Sequence, residues 1–180
     1  MKGIKKKFTT ALLKNWKTTF PFLEAVPRPS FSPNTNDYFY VHLPMRTGVV
    51  CFFVIAFSPK RSGAFTLEVH LARDTDEKTL KTLPVAWECP STFTPGYYRI
   101  ARFKDQNIDY FWFLENPNAL YDKLVSTDES DTFSILRRPR DNRSWFPATY
   151  DAPMPQIIDA AIADLNSQIE QYVLPVLKST

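Results

Sequence analysis

The stretch GVVCFFVIAF, residues 48–57, constrains the fold more than any other. Its residues are apolar in both phases of a two-residue period. A strand with one face in water alternates apolar and polar side chains. A strand without that alternation lies centrally in a sheet and is covered on both faces. The turn SPKRSG (58–63) follows, and then AFTLEVHLAR (64–73). Here one phase is Phe65, Leu67, Val69 and Leu71, while the other carries Thr66, Glu68 and His70. The pattern predicts a neighbouring strand with its Phe65–Leu71 phase under a helix. Its Glu68–His70 phase is expected to face water or a partner.

Two helical stripes can supply the cover. Ile4, Phe8, Leu12 and Trp16 recur every four residues, with Lys5, Lys6, Lys7, Lys14 and Lys17 largely off that stripe. Pro21 should stop the helix near Phe20. The second stripe is Ile158, Ala161, Ile162, Leu165, Ile169, Tyr172, Val173 and Val176. Pro153 and Pro155 suit its first turn, and Pro175 should kink or end it near Leu174.

Between the stripes, DYFYVHL (37–43), YYRIARF (97–103) and IDYFWFL (108–114) read as strands, the last two as a hairpin. VPRPSFSPN (26–34) reads as an extended connector, and Asn116-Pro117 as the start of a helix over 116–125. The segment 131–153 begins as a strand and becomes a basic, aromatic loop. A chain of 180 residues suits a single domain spanning 1–180. The expected architecture is α+β: an antiparallel sheet of about five strands with N-terminal and C-terminal helices packed on it in two layers.

The succession of helix, apolar strand, basic turn, GAFTLEVHLA, YYRIARF and a last helix ending YVLPVLKS resembles the bacterial family called domain of unknown function 4304. The resemblance implies a similar fold and a kinship with small toxin-neutralising or accessory proteins. It brings no catalytic residues to carry over.

Composition narrows the functions further. Fifteen prolines stand against four glycines, and no GxGxxG or GxxxxGK phosphate loop exists. The net charge of +3 conceals an asymmetry. Residues 1–73 hold eleven Lys/Arg and three Asp/Glu, and residues 74–180 hold eleven and sixteen. Either the two halves face each other, or a basic face awaits an acidic partner. Cys51 and Cys89 have no framework or metal spacing. The opening residues MKGIKKKFTTALLKNW hold no apolar region of the kind a secretory signal needs, and no run is long enough to span a membrane. A cytoplasmic protein without membrane association is expected.

Two candidate surfaces emerge. The first is a sheet face of Tyr38, Tyr40, His42, Glu68 and His70, where a carboxylate beside imidazoles could tune an acid–base pair. The plainer reading is a polar face meeting water. The second is the loop carrying Arg137, Arg138, Arg140 and Arg143 with Trp145, Phe146 and Tyr150. Arginine and aromatics are enriched at protein interfaces. Nucleic acid would accept the same composition, but this half of the chain is net acidic, so nucleic acid is disfavoured. The loop's rings could equally fold back onto the sheet. KGIKKK (2–7) could meet anionic lipid or nucleic acid, or simply be a solvated helix start. CxxC, HxxxH, HExxH and GxSxG are absent, so neither a metal nor any other cofactor is expected. The expected function is a non-enzymatic protein-binding module, such as an immunity-type toxin inhibitor or accessory protein. The alternative is a small-ligand-binding or hydrolytic domain on the His42/Glu68/His70 face.

Overall fold

The computed structural model describes residues 2–25, 40–44, 49–58, 63–73, 97–104, 110–117 and 144–178; for 2, 25, 40–44, 49–50, 70–73, 97–98, 102 and 178 it describes the backbone. The connector 26–34, all but the first two residues of the expected helix 116–125, and the strand expected at the start of 131–153 lie outside these residues. So do Tyr38, Cys89, Arg137, Arg138, Arg140 and Arg143.

Helix α1 (Lys2–Thr19) is followed by strands β1 (Glu24–Ala25), β2 (Tyr40–Pro44), β3 (Val49–Phe57), β4 (Ala64–Arg73) and β5 (Tyr97–Arg99). A helical turn, α2 (Ile100–Phe103), leads towards β6 (Phe111–Phe113) and β7 (Ser144–Trp145). The last element is helical throughout: α3 (Met154–Gln168), a π-helical stretch (Ile169–Val173) and α4 (Leu174–Lys178). The fold is α+β, and no helix among the described residues is long and apolar enough to cross a membrane.

Strands β1 to β4 pair in chain order, all antiparallel. On the far edge of β4, β5 pairs with Glu68–His70 and β6 with Ala64–Phe65. Residues 97–103 and 108–114 therefore form no hairpin; β5 and β6 share one edge of a third strand. Nor is 97–103 a strand throughout. Ile100 and Ala101 are consecutive and both buried. The β4 edge beyond Glu68 is taken by β6, so the chain leaves the sheet after Arg99 and coils into a helical turn. The sheet is also mixed, not wholly antiparallel, because β6 and β7 run parallel. Residues 114–143 separate them, ample for the crossover that a parallel pair requires. Seven strands are present among the described residues, two of them only two residues long.

The turn between β3 and β4 depends on Gly63. Its φ is +63°, and a Cβ there would lie 2.8 Å from Glu115 Cγ and 3.1 Å from Glu115 N. The peptide N–H of Leu114 donates to Gly63 O at 3.0 Å, which ties the end of β6 to this turn.

One sheet face forms the core. Cys51, Phe53, Ile55 and Phe57 of β3 join Phe65, Leu67 and Val69 of β4 under Phe8, Leu12 and Trp16 of α1 and Ile158, Ala161, Ile162 and Leu165 of α3. Phe8 meets Phe65 and Phe57, and Trp16 meets Phe53, in ring contacts of 4.3–6.2 Å. Each such buried side chain contributes about 1.5–3 kcal/mol of transfer free energy. The second face is buried too: Phe52, Val54, Thr66 and Phe113 are each at most 2 % exposed. This matches the two-sided cover expected of β3. It corrects the wet face expected of β4, because Glu68 is 4 % exposed.

Pro175 does not end the final helix. The π stretch carries the chain past it, with the N–H of Leu174 bonding Ile169 O. Pro175 then falls at the second residue of α4, directly after the π stretch. A π turn holds an extra residue, so the apolar stripe changes phase. Leu174 and Leu177 are buried in place of the expected Val176, which is 46 % exposed.

Candidate functional site

The register brings most of the first candidate group together. Tyr40, Val54, Glu68 and Arg99 occupy one cross-strand row over β2, β3, β4 and β5; His42, Phe52, His70 and Tyr97 occupy another. Residues paired across strands share a face, and so do positions two apart. Tyr40 and His42 therefore lie on the same sheet face as Glu68 and His70, with Val54 and Phe52 of β3 between the two pairs. The histidines stand two strands apart, about 9–10 Å between Cα atoms, with Phe52 between them. Glu68 pairs with Arg99, Nε to Oε1 at 3.5 Å. Thr66 on the same face donates its hydroxyl to Tyr110 O at 2.7 Å.

The aromatic part of the second candidate surface turns inward. Phe146 stacks on Phe113 at 5.0 Å with the planes 5° apart. Tyr150 donates to Phe113 O at 3.3 Å, and burial pushes its hydroxyl pKa up to about 12. Trp145 packs at the margin of the core. These rings close the β6–β7 edge of the sheet. The cysteine on β3 is equally inert: Cys51 is fully buried, and burial pushes its thiol pKa up.

A different surface is built on α1. Burying Phe8, Leu12 and Trp16 turns Lys6, Lys7, Lys14 and Lys17 to solvent. At 100° per residue the four lie within an arc of about 100°, spread over about 16 Å of helix. Helix α1 contains no acidic residue. The four lysines make no ion pair among the described residues. Lysines in the opening turns also oppose the helix macrodipole, which favours anions at that end. At the other end of α1, Thr19, Phe20, Phe22, Glu170, Leu174 and Pro175 line an open groove of about 420 Å³. Phe22 is 44 % exposed at its rim. The π stretch and Pro175 form the opposite wall.

A second cluster escaped the sequence pattern. Lys104, just past α2, lays its Nζ 3.8 Å from the ring centroid of Tyr110 and 5.4 Å from that of Tyr172. Trp112 donates its indole N–H to Asp164 Oδ2 at 2.9 Å, and Gln168 Nε2 donates to the same oxygen at 3.4 Å and to the Tyr110 hydroxyl at 3.5 Å. Burial lowers the Lys104 pKa, opposed by the negative charge of Asp164. Burial, and after it Asp164, raises that of Tyr110. No pattern in the sequence could have found it, because Lys104, Tyr110 and Trp112 lie far in sequence from Asp164, Gln168 and Tyr172.

Among the described residues, no group of three or more His, Cys, Asp or Glu could hold a metal ion. Comparison with protein families, curated proteins and solved structures finds no match for the chain.

Proposed function

We propose that this chain is a non-enzymatic protein-binding module whose working surface is the lysine face of α1 and the groove at its end. The observation that carries this is the exposed set Lys6, Lys7, Lys14 and Lys17 on a helix without a single carboxylate. Such a face disfavours folding slightly by mutual repulsion and serves association instead. The partner is a protein segment bearing acidic residues and one apolar anchor, the acids for the lysines and the anchor for the Phe20/Phe22/Leu174/Pro175 groove. Glu170 in the groove wall repels phosphates, which favours a protein over a nucleic acid. A toxin inhibitor is one form of such a module, in keeping with the family resemblance.

The test is competitive capture. Proteins retained by the native chain but lost by a Lys6, Lys7, Lys14, Lys17→Gln variant and by Phe22→Asp are identified. Their acidic segments, made as synthetic peptides, should then compete. If both variants retain the same proteins as the native chain, or if a single-stranded oligonucleotide competes better than any peptide, the proposal is wrong.

The register supports a second reading, a small-ligand or hydrolytic site at Tyr40, His42, Glu68 and His70. It requires the two imidazoles to sense each other's surroundings. NMR titration of both rings tests it: values near 6.5, unmoved by small carboxylates or phosphates, would eliminate it.

A further inference from the structure

Lys104 occupies an unusual place for an ammonium group. Tyr110 and Tyr172 present ring faces to it at 3.8 and 5.4 Å. Trp112 supports Tyr110 edge-on, with centroids 4.9 Å apart. Asp164 stands behind Tyr110, with Gln168 Nε2 donating both to its Oδ2 and to the Tyr110 hydroxyl. Gln168 Oε1 is buried without a hydrogen-bond partner among the described residues. Tyr172 belongs to the π stretch, a backbone form that concentrates at functional sites.

Ring faces backed by a carboxylate suit one ligand class above others. A primary ammonium has three N–H donors to satisfy, and ring faces satisfy them poorly. Burial accordingly works against the charge of Lys104. An ammonium carrying methyl groups in place of hydrogens has no donors to satisfy and is weakly hydrated. It gains the same attraction to the ring quadrupoles at less desolvation cost.

We propose that Tyr110 and Tyr172, backed by Asp164, form a cage for a small trimethylammonium compound, and that Lys104 is its resident plug. The site is separate from the lysine face of α1, and neither depends on the other. Lys104 is half-exposed and lies just past the helical turn Ile100–Phe103, outside every strand, so its side chain can leave without breaking the sheet. Binding then exchanges one cation for another between the same two rings.

The experiment follows the methyl proton resonance of tetramethylammonium by NMR, because aromatic ring currents move it upfield. Lys104→Ala and Lys104→Ser open the cage and should bind roughly tenfold or more tightly than the native chain. Lys104→Met removes the charge but keeps the plug, so it should bind no better than the native chain. Adding Tyr172→Ala to Lys104→Ala should abolish the gain. Neopentyl alcohol, a neutral compound of similar shape, should bind much more weakly than tetramethylammonium. Thermal melts confirm that each variant is folded. The proposal is overturned if both opened variants bind no better than the native chain, if Tyr172→Ala leaves the gain intact, or if the neutral compound binds equally well.

Discussion

The indole nitrogen of Trp112 donates to Asp164 Oδ2 at 2.9 Å, joining β6 to α3 through one charge-assisted hydrogen bond. The same carboxylate oxygen accepts from Gln168. Asp164→Ala leaves a fully buried indole N–H without an acceptor and should cost about 2–3 kcal/mol. Asp164→Asn retains a carbonyl oxygen and should cost about 1 kcal/mol. Urea unfolding of both variants measures the difference, and equal losses would contradict the assignment.

A second polar clasp holds the two long helices together. Trp16 Nε1 donates to Asn166 Oδ1 at 2.7 Å, and Asn166 Nδ2 donates to Asn15 Oδ1 at 2.8 Å. Asn166→Ala should destabilise by about 1–2 kcal/mol. A double-mutant cycle with Trp16→Phe should return a coupling of about 1 kcal/mol. Strict additivity would mean that the clasp contributes nothing.

At the β3–β4 turn, Gly63→Ala combines a left-handed backbone with a Cβ only 2.8 Å from Glu115 Cγ. The expected cost is about 2 kcal/mol or more. Adding Glu115→Gly should recover part of it. The rest stays, because the Glu115 nitrogen at 3.1 Å and the positive φ remain. Thermal denaturation of the single and double variants checks this order.

Alkaline pH should unfold the chain through its buried tyrosines. Burial raises Tyr150 from an ordinary 10.0 to about 12. It also raises Tyr110, with Asp164 adding to the effect. The folded state therefore holds these protons more tightly than the unfolded chain. The stabilisation is complete below about pH 10 and is lost as pH rises through the folded values. Tm should fall between pH 10 and 12, and less steeply in Tyr150→Phe. An unchanged slope in that variant would exclude Tyr150 as a cause.

Periodicity made part of this fold legible. Cys51 to Phe57 without alternation announced a strand covered on both faces, and Phe8, Leu12 and Trp16 announced the face of α1 that packs on it. Periodicity is blind where a neighbour decides. Ile100 and Ala101 have strand-like company in YYRIARF, yet the edge of β4 is already shared with β6, and the chain coils there. Glu68 looked wet because it is charged, but it is buried and pairs across the register with a partly exposed Arg99. The stripe of the last helix was read at one constant phase, and the π stretch before Pro175 moved Val176 out and Leu177 in. Of the sheet-face residues, the alternation pattern could pair Glu68 with His70. Only strand pairing could show that Tyr40 and His42 share their face, one strand removed. The cage around Lys104 joins three elements distant in sequence, and no local pattern carries it.

The contact between Trp16 and Asn166 spans 150 positions of chain. Strands β1 to β4 pair with their immediate predecessors, so most of the sheet can assemble from local hairpins. The helical layer cannot, because α1 is synthesised before every strand and α3 after all of them. At translation speeds of roughly 5–20 residues per second, the face of Phe53, Ile55, Phe65 and Leu67 remains only half covered for seconds on the ribosome. The nascent chain must bridge that interval with a large aromatic surface exposed, so its yield in the cell should depend on chaperones that hold such surfaces more than on the stability of the finished fold.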